Sequence, residues 1–400
     1  MTTAPTGNSL LAALLVIATC GCGDEGGPAM PTDNFDRAAM LANLGDNLLV
    51  PAYTEFATTS ASLATDLGAY CDAIDGAGET AALEAAQTSW RATMDAWQLA
   101  EAMLLGPAAM NERTLREQIY SWPLVSSCAV DQEVATYQTA PAALDITTKL
   151  NNRRGLDALA YLLFTTSLDH TCPTQTAPAS WNDLSESERK IARCGYAAAA
   201  AADVLDKANI VVSAWTEGDR PFLDDLKAAG QSSSSFGSAQ EAVNVVSDAL
   251  FYLDTEVKTM KLGEPAGITV NSCATVQQPC EAELEAPFAG HSKQNIIRNL
   301  EGFSMLFHGN ALSGTTGIGF DDFPIELGAH DLAATMSTDT AAALAAATSI
   351  PGTLREALRD DYDSVVSAHA ATKQVTVALK SQFLTVLGLD LPDSAAGDND

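Results

Sequence analysis

Four residues in the C-terminal half have the types and spacing of a metal site. Glu301 and His308 lie seven residues apart, two helical turns, and Glu326 and His330 lie four apart, so each pair can share one helix face. Imidazole and carboxylate ligands together suit iron, zinc or copper. If the two helices are neighbours, the sequence predicts a metal centre; the alternative is that these histidines are exposed or hydrogen-bonded for structural reasons.

Two acidic residues of the N-terminal half lie among apolar neighbours. Glu101 continues a stripe of tryptophans, and Asp157 lies within an apolar decamer. A buried, unpaired carboxylate costs on the order of several kcal/mol, so we expect arginines to pair with them: Arg153, Arg154, Arg91 or Arg116. Three interpretations stay open: a structural hydrogen-bond network, a pocket that binds a cation or a small polar ligand, or general acid–base catalysis by the pair.

The charge of the chain excludes one class of partner. The 400 residues include 51 Asp+Glu and only 21 Lys+Arg, a formal net charge of −30. Nucleic-acid binding depends on clustered Lys and Arg, so we expect no nucleic-acid partner. The sequence also lacks GxSxG, HExxH and P-loop motifs, and it therefore gives no support to the reactions that those motifs perform.

The N-terminus resembles a bacterial lipoprotein signal. The apolar run Leu10–Ala18 is too short to span a bilayer, and it leads to Cys20 and Cys22, either of which could be the lipidated first residue after cleavage at the end of segment 1–22. Residues 23–34 then form a flexible tether, and the membrane is a partner through the lipid. An ordinary secretory signal or a buried N-terminal helix is the alternative, since residues 1–9 contain no Lys or Arg.

Beyond the signal the chain has six cysteines, an even number that predicts disulfides in an exported protein. They are Cys71, Cys128, Cys172, Cys194, Cys273 and Cys280. Six cysteines allow 15 pairings. Local bridges 172–194 and 273–280, each across a polar or proline-containing loop, would leave 71–128 as the long-range bridge. A metal–thiolate site is the alternative, although the chain has no CxxC pair among the six.

The apolar spacing is mostly helical, and alternating strand patterns are scarce. One stripe of a single helix that stops at Gly106-Pro107 is formed by Trp90, Met94, Trp97, Glu101 and Leu104. Further helices are predicted near 35–73, 112–121, 130–145, 151–167, 184–216, 238–261, 291–309, 338–348 and 352–386. We therefore predict an all-α protein of antiparallel helical bundles.

The serine-rich stretch at 229–237 is the best candidate linker. It divides the chain into an N-terminal helical domain at 35–228 and a C-terminal helical domain at 238–390, with a disordered acidic tail at 391–400. The segments 154–164 and 298–307 share a basic residue, a Leu-acid pair and an apolar end, so the two halves could derive from an internal duplication.

Several segments together resemble the imelysin family, also called the M75 peptidase family. They are the stripe from Trp90 to Pro107, Tyr120-Ser-Trp-Pro-Leu124, the segment 154–164, Gly319-Phe-Asp-Asp322, the helix at 338–348 and the end Leu384–Leu389. The resemblance covers roughly residues 35 to 390. It implies an exported, often lipid-anchored protein built from two helical bundles, with a role connected to iron.

The resemblance also implies a GxHxxE motif that grips a cation or activates a water. Here the motif reads Gly155-Leu-Asp157-Ala-Leu-Ala160, so aspartate replaces histidine and alanine replaces glutamate. We therefore expect a non-catalytic envelope lipoprotein that acts in ligand or iron binding or in docking an envelope protein, with a divalent metal or iron as an optional cofactor. The alternative is a metal-dependent hydrolase whose site has moved to the His/carboxylate group of the C-terminal half.

Overall fold

The computed structural model describes residues 33–273, 278–392 and 395, and the described residues form helices and no strand. The predicted signal peptide with Cys20 and Cys22, most of the tether, and most of the acidic tail lie outside them. None of the described helices combines the length and apolarity that a membrane span requires.

The α-helices, in chain order, are α1 (Arg37–Leu44), α2 (Val50–Ala73), α3 (Glu79–Glu101), α4 (Met110–Ile119), α5 (Ser127–Thr139), α6 (Gly155–Phe164), α7 (Glu186–Thr216), α8 (Phe222–Lys227), α9 (Ala239–Asp248), α10 (Glu264–Ala266), α11 (Ser292–His308), α12 (Asp322–Glu326), α13 (His330–Ser349), α14 (Leu354–Asp360), α15 (Tyr362–Ala378) and α16 (Leu384–Leu387). Segments of π-helix span Gly45–Leu49, Leu253–Gly263 and Leu379–Phe383. Short 3-10 helices span Gly106–Ala108, Pro141–Ala143, Ile146–Thr148, Asn151–Arg153, Trp181–Asp183, Ala249–Phe251 and Glu281–Glu283.

The tryptophan stripe is confirmed as the buried face of α3. Trp90, Met94, Trp97 and Glu101 are all 0% exposed, because residues three or four apart lie on one side of a helix. The helix ends at Glu101, before Leu104, and a 3-10 turn follows at Gly106-Pro107.

The helices pack in two groups. The first group contains α2, α3, α6 and α7, and the second contains the π-helix at Leu253–Gly263 with α11, α13 and α15. The groups meet where α11 crosses α3, and a Cβ at Gly302 would lie 2.6 Å from the Leu99 carbonyl oxygen. The all-α, bundle-forming prediction is therefore confirmed, and a glycine at this crossing lets the two helices approach closely.

The stretch at 229–237 is a packed turn and not a loose linker. Phe236 is buried, with its ring centroid 6.2 Å from that of Phe222, and the Ser235 backbone N–H donates to Asp225 Oδ1 at 2.8 Å. The described residues from position 33 onward form one compact unit. Serine-rich composition suggested flexibility, but one phenylalanine fixes this turn to the core.

The six cysteines in the described part of the chain form three disulfides, and two of the three predicted pairings are wrong. The bridges join Cys71 to Cys194, Cys128 to Cys172, and Cys273 to Cys280. Only 273–280 matches the prediction. Cys71 lies on α2 and Cys194 on α7, which pack side by side, so proximity in space decides the pairing here.

Candidate functional site

The retained glycine of the GxHxxE-like segment shapes the start of α6. Gly155 has φ +82°, and a Cβ there would lie 2.8 Å from the Ile119 carbonyl oxygen at the end of α4. Only glycine combines this conformation with this close approach. The turn places Asp157 in the first turn of α6, where it is 2% exposed.

Asp157 has no hydrogen bond or ion pair with any other described residue, so its predicted pairing with arginine is wrong. Arg153 binds Glu133 instead, and Arg154 contacts Asp203 at 3.2 Å. Burial, together with the charge of Glu285, raises the pKa of Asp157 to about 8. Asp157 is therefore largely protonated at neutral pH, because no ion pair stabilises its charged form.

Glu101 does have the expected arginine. The Arg116 Nε donates to Glu101 Oε1 at 2.7 Å, and both side chains are buried. Arg116 Nη1 also donates to the Trp122 carbonyl oxygen at 2.6 Å, which fixes the chain after α4. This pair fits the structural interpretation of Glu101, since a buried ion pair with further hydrogen bonds holds its surroundings in one arrangement.

A second buried ion pair lies beside the first. Lys261, which is fully buried, places Nζ 2.8 Å from Glu285 Oε1, 2.6 Å from Gln98 Oε1 and 2.8 Å from Asn299 Oδ1. The Tyr120 hydroxyl donates to the same Glu285 oxygen at 2.8 Å. Burial raises the pKa of Tyr120, so this hydroxyl keeps its proton and remains a donor.

Aromatic rings surround the Lys261 ammonium. Its Nζ lies 5.4 Å from the ring centroid of Trp122 and 5.3 Å from that of Tyr252. These distances allow cation–π attraction, which is strongest in a dry environment. The ammonium group is therefore surrounded by three oxygen acceptors and two aromatic rings.

A pocket of about 220 Å³ opens beside these two ion pairs, and Asp157 lines it. Its wall consists of Trp122, Pro123, Val125, Ser127, Asp157, Glu264, Ala282, Glu283, Leu284, Glu285, Pro287 and Phe288. Residues from both predicted halves contribute. Burial and the neighbouring Glu283 raise the pKa of Glu264 to about 7. Arg116 and Lys261 already neutralise Glu101 and Glu285, whereas Asp157 is a fully buried carboxyl of this wall that has no such partner among the described residues.

A second cavity, of about 240 Å³, lies next to Cys194 but lacks such a group. Leucines form much of its wall, and Lys190 at its edge is bound to Glu79 at 3.0 Å and to Glu186 at 2.8 Å. Its lysine and two glutamates thus pair with one another. We therefore take the pocket at Asp157 as the candidate functional site.

The predicted C-terminal metal site is not assembled. Glu301 is paired with Arg298 on its own helix. His308 uses both ring nitrogens: Nδ1 lies 2.8 Å from the Ser304 carbonyl oxygen and Nε2 lies 3.2 Å from Ser337 Oγ. The histidine is thus held by ordinary hydrogen bonds between α11 and α13.

The other two residues of that prediction lie on the surface. Glu326 and His330 are exposed, and Glu326 lines an open groove with Asp322. Across residues 33–273, 278–392 and 395 there is no group of three or more His, Cys, Asp or Glu side chains that could hold a metal ion. Spacing along two separate helices could not reveal how those helices face each other.

Sequence reasoning missed Lys261 and Glu285, the centre of the network. A signal was present, because Lys261 lies between Met260 and Leu262 in a chain poor in basic residues. A rare lysine in an apolar setting indicates a buried ion pair. Its partner could not be named, since Glu285 lies in a loop with no regular pattern.

The family model described as imelysin, peptidase M75, matches residues 49–382. Among curated proteins, iron-regulated protein A of Synechococcus elongatus is 26% identical over 222 residues, which is 55% of this chain. The match spans 52% of that relative, so the chain covers about half its length.

Two solved structures share the fold. A candidate iron-regulated protein A precursor from Parabacteroides distasonis has a TM-score of 0.65 at 16% identity, with 88% of this chain and 96% of that chain covered. An imelysin-like protein from Psychrobacter arcticum has a TM-score of 0.64 at 19% identity, with 90% and 99% covered. At these identities the likeness concerns the fold alone.

Proposed function

This chain belongs to the imelysin family, and from that premise we propose that it is a non-catalytic binding protein of the cell envelope, which captures a cationic ligand in the acidic pocket in a process linked to iron. One observation carries the proposal. Asp157 is a buried carboxyl without a partner among the described residues, and it lines a pocket with Glu264, Glu283 and Glu285. A protein keeps such a costly group where a ligand compensates its charge.

The non-catalytic part rests on the residues at the family's motif. Asp157 and Ala160 replace the histidine and the glutamate, and alanine neither ligates a metal nor moves a proton. The alternative, a metal-dependent hydrolase at a relocated site, has no supporting contact, because His308 and Glu301 are engaged with other partners.

The link to iron rests on the relatives. The name of the Synechococcus protein says that iron regulates it, which is a statement about its control and not about its ligand. We therefore keep iron as one candidate ligand among cations.

Attachment to the membrane through a lipid on Cys20 or Cys22 is part of the proposal and is supported by the apolar run before them. Partition of the full chain into detergent, compared between Cys20→Ser and Cys22→Ser variants, identifies the anchor. The variant that lacks the lipidated cysteine is expected to move to the aqueous phase. If wild type itself is found in the aqueous phase, the proposal of a lipid anchor is wrong.

The binding proposal is tested by thermal shift of the protein starting near Pro31, purified without a His-tag and exposed to Fe²⁺, Fe³⁺, Zn²⁺, Cu²⁺ and small amines. At least one cation is expected to raise the Tm of wild type and of the His330→Ala variant, and to leave the Tm of the Asp157→Asn variant unchanged. A panel without any Asp157-dependent shift overturns the proposal. Cleavage of a denatured protein, abolished by a chelator and by His308→Ala, would instead establish the hydrolase.

A further inference from the structure

The pocket at Asp157 has few groups that could ligate a metal ion, but its wall includes aromatic side chains. In the described part of the chain no three His, Cys, Asp or Glu side chains converge as metal ligands, so a bare metal ion would find too few protein oxygens here. Asp157 is the carboxyl of this wall that is both buried and without a partner among the described residues, and its single negative charge matches one positive charge. The walls beside it include the rings of Trp122 and Phe288.

Building on the function proposed above, we propose that the ligand is a small organic ammonium ion, whose ammonium group binds the Asp157 carboxylate and whose carbon chain lies against Trp122 and Phe288. A carboxylate forms strong charge-assisted hydrogen bonds with an ammonium N–H. The aromatic rings attract the same group and shelter its methylene carbons.

The protein already holds one ammonium group in the same surroundings. Lys261 Nζ binds Glu285 at 2.8 Å and lies 5.4 Å from the ring centroid of Trp122. Trp122, Glu285 and Asp157 all line the pocket. A ligand ammonium on Asp157 would repeat the combination of carboxylate and indole that Lys261 uses from inside the protein.

Lys261 also explains why the ligand group goes to Asp157 and not to Glu285. The Glu285 oxygen Oε1 is occupied by Lys261 and by the Tyr120 hydroxyl. Asp157 has no such contacts, and the positive group that lowers its pKa, Arg116, is engaged with Glu101. Of these two carboxyls, Asp157 is therefore the one that lacks a cationic partner among the described residues.

The size of the pocket restricts the ligand. A volume of about 220 Å³ holds roughly seven water molecules at about 30 Å³ each, which is below the range of drug-sized sites. Such a space accommodates a short alkyl amine or diamine. Glu264 and Glu283, which also line the pocket, would attract positive charge and disfavour a carboxylate-bearing ligand.

The experiment is isothermal titration calorimetry of the same protein with n-butylamine, 1,4-diaminobutane, FeCl₃ chelated by citrate, and MgCl₂. An amine-free buffer near pH 8.5 keeps the alkylamines protonated and a large fraction of Asp157 ionised. Asp157→Asn is the test variant; it removes a buried charge and should fold. Asp46→Asn, at an exposed position paired with Lys227, is the matched control.

At least one amine is expected to bind wild type and the control equally, and to bind Asp157→Asn about tenfold or more weakly. Asp157-dependent binding of iron or magnesium without binding of either amine would overturn this inference and leave the proposed function standing. If none of the four probes shows Asp157-dependent binding, the ammonium assignment is overturned. If the thermal-shift experiment with metals and amines also shows no Asp157-dependent effect, the proposed function is overturned as well.

Discussion

Replacing Asp157 by asparagine should stabilise the protein at alkaline pH. In the unfolded chain the carboxyl has a pKa near 4, whereas burial and the charge of Glu285 raise it to about 8 in the folded protein. Between these values the folded state holds a proton that the unfolded state has released. The contribution of this group to folding stability therefore falls as the pH rises from 4 to 8, and above 8 the folded protein bears the full cost of a buried charge.

The size of the effect follows from the two pKa values. They differ by roughly four units at about 1.4 kcal/mol each, which gives an upper limit of roughly 6 kcal/mol above pH 8. Water entry through the pocket and local relaxation reduce this limit. We expect Asp157→Asn to exceed wild type by about 2–4 kcal/mol at pH 9 and by only about 1 kcal/mol at pH 5, where the folded protein carries the protonated acid and the unfolded chain has just begun to gain from ionisation.

The assay is urea denaturation followed by tryptophan fluorescence at several pH values from 5 to 9, with ligand and amine buffers excluded. Trp90 and Trp97 are fully buried, so unfolding changes their emission. Asp46→Asn should change stability by less than about 0.5 kcal/mol at every pH. If the stabilities of wild type and Asp157→Asn run parallel over the whole pH range, then Asp157 is not a buried, uncompensated acid and the reasoning fails.

Four further substitutions test the packing around the site and the disulfide bridges. Lys261→Met should lower the free energy of unfolding by about 3–5 kcal/mol, because Glu285 would stay buried without its ammonium partner; urea denaturation measures it. Cys194→Ser should cost roughly 5 kcal/mol and Cys280→Ser roughly 2 kcal/mol, since the bridges close chain separations of 123 and 7 residues; the two Tm values under non-reducing conditions should differ in that order. Gly302→Ala should destabilise by about 1–3 kcal/mol through the clash between α11 and α3, as seen by thermal unfolding.

Each of these expectations has a contradicting result. A Lys261→Met protein as stable as wild type would mean that Glu285 finds another donor or takes up a proton. Equal Tm losses for the two cysteine variants would show that loop length does not govern their effect. An unchanged Tm in Gly302→Ala would mean that α11 can move away from α3 without cost.

The parts of the fold that depend on local pattern could be predicted from the sequence. Trp90 and Trp97 fall on one helix face because hydrophobic periodicity is a local property, and the prediction of a helix at 184–216 agrees with α7 because Ser185 and Glu188 form a capping box at its start. The serine-rich composition of the stretch at 229–237 predicted a linker, but the buried ring of Phe236 packs this stretch against the rest of the protein.

The site itself could be predicted only in part. The apolar surroundings of Asp157 could be predicted from its neighbours in the sequence. Its lack of a partner could not, because Arg154 forms its ion pair with Asp203, which is distant in the sequence. The four-residue metal site failed for the same reason: the spacing of Glu301 and His308 fixes their positions on one helix and says nothing of the neighbouring helix. Contacts between distant segments need the tertiary structure.

The order of the bridged cysteines along the chain bears on how the protein is made. The bridge 128–172 lies inside the loop closed by 71–194. A chain that emerges from a translocation channel N-terminus first exposes Cys71 and Cys128 to the oxidant before their native partners arrive. The first bridge within reach is then 71–128, and exchange through a mixed disulfide must replace it. Biogenesis of the native protein thus depends on thiol exchange or on oxidation delayed until α2 and α7 have met, and a host deficient in disulfide isomerase should accumulate the 71–128 isomer.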